Sequence, residues 1–183
     1  MKYPAALLFF LCLFCLETSA QDLRWARSLG GTSDEYAVCL ERDFAGNIYL
    51  AGNFSGTADF DPGPAVYNLT AASPLRDLFI SKFDATGAFL WAKRAGFTDD
   101  DDVIGMAVDD SGNVYATGNF AGVVDFDPGP GTFNLTAVSQ HDIFVLKLDS
   151  QGNFVWAKAI GGSNHQEGWA IATDPWGNIL VTG

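Results

Sequence analysis

The chain repeats itself at a nearly fixed spacing. Asp59-Phe60-Asp61-Pro62-Gly63-Pro64 returns 66 residues later as Asp125-Phe126-Asp127-Pro128-Gly129-Pro130, and Trp91-Ala92-Lys93 returns 65 residues later as Trp156-Ala157-Lys158. Gly46-Asn47 recurs as Gly112-Asn113 and again as Gly177-Asn178. A period of this length marks stacked supersecondary units, each sharing its apolar surface with its neighbours. The architecture is therefore constrained before any site is considered.

One unit can be followed from Asp101 to Gly162. Val103 to Val108 is a short apolar run closed by Asp109-Asp110-Ser111-Gly112. Asp at the first and Gly at the fourth position suit a type I turn, since Asp bonds back to the chain and Gly tolerates positive φ. Asn113 to Gly118 reads as a second strand, Asp142 to Leu148 as a third, and Asn153 to Ile160 as a fourth, after the similar turn Asp149-Ser150-Gln151-Gly152. Four strands joined by hairpins describe a propeller blade. Blades pack on both sides, so runs such as Ile143 to Leu148 are apolar on both faces. A two-sheet sandwich also uses short strands, but it needs no repeating unit. The expected fold is an all-β propeller of four-stranded blades.

Closed propellers need about 4–8 blades. This chain offers a leading fourth strand, Leu23 to Leu29, and units spanning 31–96, 97–161 and an incomplete 162–183. The expectation is an incomplete fragment, with further blades in a missing C-terminal part. At the other end, Lys2 and the apolar run Ala5 to Leu16, followed by Thr18-Ser19-Ala20, read as a signal peptide over residues 1–20, cleaved to leave Gln21. That run is too short to span a bilayer, and no later run approaches the ~20 residues required, so membrane insertion of the mature chain is not expected. The net charge of −12 argues against nucleic acid and anionic membranes as partners. Two of the three cysteines leave with the signal peptide, so Cys39 has no partner for a disulfide and reads as a buried thiol in an apolar strand.

Trp-Ala-Lys, Gly-Gly, Val-Asp-x-x-Gly-Asn-x-Tyr-x-Thr-Gly-x-Phe and Asp-Phe-Asp-Pro-Gly together resemble the bacterial SBBP-type (seven-bladed) β-propeller repeat, over nearly all of Asp22 to Gly183. The resemblance implies a large exported or cell-surface protein of undefined activity. Many such proteins resemble cargo of the type IX secretion system.

The Asp-Phe-Asp-Pro-Gly-Pro segment is the first candidate for chemistry. Residues two apart in an extended chain point the same way, so Asp59 and Asp61 share a face, as do Asp125 and Asp127. Paired carboxylates before a Gly bend offer hard oxygen ligands to Ca²⁺, although that ion takes six to eight oxygens. The competing reading is a type II turn, with Pro62 and Gly63 at its centre and the Asp residues capping backbone amides. The acidic run Asp99 to Asp102 aligns with Ser33 to Tyr36 and with Asn164 to Glu167, which keep polarity but not charge, as a solvated inter-blade loop does.

Asp-x-x-Gly-x-x-x-Trp (Asp84, Gly87, Trp91; Asp149, Gly152, Trp156) resembles the motif of quinoprotein propellers, whose Trp residues dock neighbouring blades. The two histidines, His141 and His165, lie in no nucleophile elbow, and the mature chain is poor in zinc ligands. His141 stands where the preceding unit has Leu75-Arg76 and reads as loop variation. Asn53, Asn68 and Asn134 match the N-glycosylation acceptor pattern and read as strand chemistry.

The leading expectation is a secreted or surface non-catalytic scaffold for a protein or carbohydrate ligand. The alternatives are a carbohydrate-active or quinone-dependent propeller enzyme completed by missing blades, and a calcium-dependent adhesion module.

Overall fold

The computed structural model describes residues 25–72, 75–96 and 101–183. The signal segment, the start of the leading strand, and Asp99 and Asp100 fall outside them. Every regular element among the described residues is a strand.

The first blade pairs β2 (Glu35–Arg42), β3 (Ile48–Phe54), β6 (Asp77–Phe83) and β7 (Phe89–Ala95) in that order, all antiparallel. The second pairs β8 (Asp102–Val108), β9 (Val114–Phe120), β12 (Asp142–Leu148) and β13 (Phe154–Ile160) in the same order. A third begins with the hairpin β14 (Ala170–Thr173) and β15 (Ile179–Thr182). The expected four-stranded, all-β blade is what the chain forms. Its irregularities repeat too: the register shifts between Ala37 and Cys39 and again between Val103 and Gly105.

Small ribbons sit between the second and third strands of each blade. β4 (Thr57–Asp59) pairs with β5 (Asn68–Thr70), and β10 (Val123–Asp125) with β11 (Asn134–Thr136). β1 (Gly30–Gly31) joins the first ribbon through β4.

The central strands are the most buried, because they are covered on both faces. All of β6 and all of β9 are buried, and only Lys147 in β12 is partly open. Within β9, Thr117 Oγ1 donates to the Phe144 carbonyl at 2.8 Å, whereas the buried Ser81 Oγ of β6 finds no partner among the described residues. One core lies between the first two blades, with Tyr49, Leu78 and Ile80 on one side meeting Val114, Phe144 and Leu146 on the other. A second, holding Ala107, Tyr115, Val145 and Ile171, lies between the second and third. β8 packs against both β2 and β14, so the first strands of consecutive blades are neighbours, as in a propeller.

The leading fourth strand differs from expectation. Residues 25–29 form no strand, and only Gly30–Gly31 pairs, with β4. A fourth strand bonds to the third strand of its own blade, and these residues have no such neighbour among the described residues. Trp25 nevertheless sits where a fourth-strand Trp should. Its ring lies 3.2 Å from where a Cβ on Gly87 would be, as the Trp91 ring lies 3.0 Å from that place on Gly152.

Candidate functional site

The hairpin pairing sends the chemistry to two opposite rims. Ile48 pairs with Phe83 near one end of the first blade and Phe54 with Asp77 at the other, so the tight turns gather on one rim and the long connections on the other.

The tight-turn rim is nearly invariant. In each of five turns, Gly46, Gly87, Gly112, Gly152 and Gly177 donate to the carbonyl of the Asp three residues earlier, and all five glycines have positive φ. The Asp side chain completes the turn. Asp109 Oδ1 accepts from the Ser111 and Asn113 amides at 2.9 Å each, and Oδ2 accepts from Asn113 Nδ2 at 2.8 Å and Tyr115 Oη at 3.0 Å. Burial pushes the Asp109 carboxyl up, but these hydrogen bonds outweigh it and hold it below its ordinary value. Asp43 and Asp149 show the same balance, with Asn47 and Asn153 as the main donors. At Asp84 the hydrogen bond from Thr86 leads the lowering, and at Asp174 the one from Asn178.

Behind this rim, Lys82 Nζ lies 4.9 Å from the Tyr49 ring and Lys147 Nζ lies 5.0 Å from the Tyr115 ring. Burial and then the Asp43 carboxylate raise the Tyr49 phenol well above its usual range. Trp91 Nε1 donates to the Ser150 carbonyl of the next blade at 3.3 Å. The Asp-x-x-Gly-x-x-x-Trp motif thus serves blade docking. Cys39 is half-buried and free. Its thiol donates to the Ile104 carbonyl at 3.2 Å, and burial, with Glu41 nearby, pushes its pKa up.

The long-loop rim carries the four predicted ligands. Asp59 Oδ1 accepts from the Asp61 amide at 3.0 Å and the Tyr67 amide at 2.9 Å. Asp125 Oδ1 accepts from Asp127 and Phe133 at 3.0 and 2.8 Å. Asp61 and Asp127 accept from the Gly63 and Gly129 amides, each at 2.7 Å. The hydrogen bonds from Tyr67 and then Asp61 hold the Asp59 carboxyl below its ordinary value. The type II turn is not formed, because it needs positive φ at Gly63 and Gly129 and neither has it. The Asp side chain closes the bend instead, as an Asx turn. Glu35, Asp59 and Asp61 border one cavity of about 460 Å³. No group of three or more His, Cys, Asp or Glu among the described residues converges as a metal site.

Elsewhere on this rim the blades diverge. Buried Asp77 takes the Arg94 guanidinium and the Ala72 amide, whereas its counterpart Asp142 takes the Val138 amide and Ser139 Oγ. Asn53 clasps the next blade, donating to Asp102 at 2.7 Å and accepting from the Val103 amide at 3.0 Å.

One cluster escaped the sequence reading. His141 Nδ1 lies 3.0 Å from His165 Nδ1, and His165 Nε2 lies 2.8 Å from Glu167 Oε1. Two positions that each broke the repeat thus meet across one inter-blade loop. Registering both departures against the repeat, rather than each alone, was the available signal.

Blades with a regular turn rim and a varied loop rim define a β-propeller repeat protein. Residues 90–119 match the SBBP family, described as a beta-propeller repeat. The match runs from β7 through β9, which is the junction between blades. The chain is 27% identical over 186 residues to an uncharacterized WD repeat-containing protein of Acanthamoeba polyphaga mimivirus, covering 87% of this chain and 13% of that protein. It is 27% identical over 138 residues to the regulatory protein FlaEY of Caulobacter vibrioides, covering 75% of this chain and 14% of FlaEY. The chain therefore spans only a small part of the relatives it matches. A propeller repeat, with relatives named for WD repeats and for regulation, suggests a binding or scaffold module.

Proposed function

We propose that this chain is part of an exported, non-catalytic β-propeller scaffold that presents its long-loop rim to a protein or carbohydrate partner. The observation that carries the reading is the contrast between rims. The tight-turn rim keeps one set of hydrogen bonds from blade to blade, whereas on the loop rim, beyond the shared Asp-Phe-Asp-Pro-Gly-Pro turn, the side chains that meet Asp77 and Asp142 change between blades. Repetition serves folding, and variation on one rim serves recognition. The signal-like residues 1–20 support export.

The test is fractionation of cells producing the chain, with sequencing of the mature N-terminus. Recovery outside the cytoplasm beginning at Gln21 is the expected result. Retention in the cytoplasm with residues 1–20 intact sinks the exported scaffold. The binding half is tested by exchanging Gln140-His141 for Leu-Arg, the pair at the aligned place in the first blade. A bound partner recovered from the surface should be weakened by this exchange and unaffected by Asp174→Asn on the opposite rim.

A further inference from the structure

The only two histidines of the chain meet on the loop rim, and nothing in the fold requires them to. His141 precedes β12 and His165 lies in the connection from β13 to β14, so the contact ties a loop of the second blade to the entry of the third. The rings are edge to face, with centroids 4.7 Å apart and planes at 73°. Beside them, Ser139, Gln140, Ser163, Asn164 and His165 line an open cavity of about 590 Å³.

Hydrogen-bond roles follow from the partners. An ionised carboxylate only accepts, so His165 donates from Nε2 to Glu167. Neutral His165 then carries its lone pair on Nδ1, pointing at His141 Nδ1. A carboxylate on the far nitrogen of an imidazole is the arrangement that orients a metal-binding histidine and raises its basicity.

We propose that His141 and His165 form a two-nitrogen chelate for a late first-row divalent cation, Cu²⁺ above all, with Glu167 positioning His165. The cation displaces the proton shared by the two Nδ1 atoms and sits to one side of the line between them, within bonding distance of both. That proton leaves His141 Nδ1, and His141 carries one on Nε2 instead, so the imidazole stays neutral. Metal–imidazole bonds are about 2.0–2.1 Å, so nitrogens 3.0 Å apart subtend an angle near 90° at a shared ion. A right angle suits the tetragonal geometry of Cu²⁺ and Ni²⁺ better than the tetrahedral geometry of Zn²⁺. Glu167 bonds the outward nitrogen of His165 and no third side chain of this kind converges among the described residues, so water fills the remaining positions. The net charge of −12 favours cations near the surface. Hard Ca²⁺ prefers oxygen and should not compete.

The experiment is Cu²⁺ titration of the chain followed by electron paramagnetic resonance. With only these two histidines present, imidazole coupling reports this site alone. The expected result is a one-to-one complex coupled to two imidazole nitrogens and insensitive to excess Ca²⁺. His141→Ala and His165→Ala should each leave coupling to one imidazole, and the double variant to none. Glu167→Gln should keep both couplings while weakening binding about 10–100-fold. Wild-type protein without imidazole coupling, or a double variant binding as tightly as wild type, overturns the site. Unchanged affinity in Glu167→Gln overturns the positioning role of Glu167.

Discussion

Met106 and Leu40 occupy the same place in successive blades, each in the first strand and paired with the same position of the second. Met106 is 5% exposed and Leu40 is 67% exposed. Val114 is fully buried, while its counterpart Ile48 is only half so. The second blade has a neighbour against this face. Among the described residues, the first has only Trp25 and the residues beside it, which leave an apolar cavity of about 150 Å³ bordered by Leu40, Ile48 and Leu50. In a repeat protein, the worth of a side chain is set by the unit that covers it as much as by its own identity.

Truncation at the covered junction should therefore have the largest effect. Phe126, fully buried against Phe120 and Phe144, should cost about 3–5 kcal/mol as Phe126→Ala. Met106→Ala should cost about 2–4 kcal/mol, and Leu40→Ala less than about 1 kcal/mol. Urea denaturation measures all three. Equal losses at Met106 and Leu40 would mean that in solution something covers the first blade, and the comparison would break there.

Glycines give a second pair. Gly152 has φ of 77° and the Trp91 and Lys93 side chains 3.0 Å from a would-be Cβ, whereas Gly177 has φ of 83° and open space around it. Gly177→Ala should cost about 1–2 kcal/mol from left-handed strain alone. Gly152→Ala adds crowding at the docked Trp and should exceed it by roughly 1–2 kcal/mol. If Trp91→Ala does not shrink that difference, the Trp is not what crowds Gly152.

Removing a turn carboxylate comes next. Asp109→Ala loses four hydrogen bonds and should cost about 2 kcal/mol. Asp174→Ala, on the uncovered third unit, should cost less. The same carboxylates set the acid limit. Their folded pKa values lie below the ordinary 3.8, so their contribution is complete above that value and is lost as pH falls through the lower folded ones. The urea midpoint should thus hold from neutrality to about pH 5 and drop below about pH 4, less steeply in Asp109→Asn. A midpoint that falls first between pH 5 and 7 would assign the limit to other groups.

The repeat made the blade legible, because strand order and the Asp-led turns follow from motifs that recur at one spacing. Turn chemistry within Asp-Phe-Asp-Pro-Gly-Pro was half legible. Pro-Gly predicts type II, but the preceding carboxylate reached the Gly63 amide and left φ negative. The expected leading strand, Leu23 to Leu29, was legible only in part: Trp25 docks on Gly87, but residues 25–29 form no strand, because Trp docking needs only the following blade whereas strand pairing needs the preceding one. The histidine pair was legible only as two separate departures from the repeat, not as a contact. Contact between loops 24 residues apart belongs to no local period.

The smallest expected effect concerns calcium. Each Asp of the two Asp-Phe-Asp-Pro-Gly-Pro segments already commits one oxygen to backbone amides, and an Asn at Asp61 or Asp127 retains an oxygen that can accept from the same amide. Asp61→Asn and Asp127→Asn should therefore shift the melting temperature by no more than about 2 °C, and EDTA should not shift it at all. Calcium removal that lowers the melting temperature in wild type, and not in the double Asn variant, would turn these turns into ligands. The loop rim would then be held by an ion where the opposite rim is held by hydrogen bonds alone.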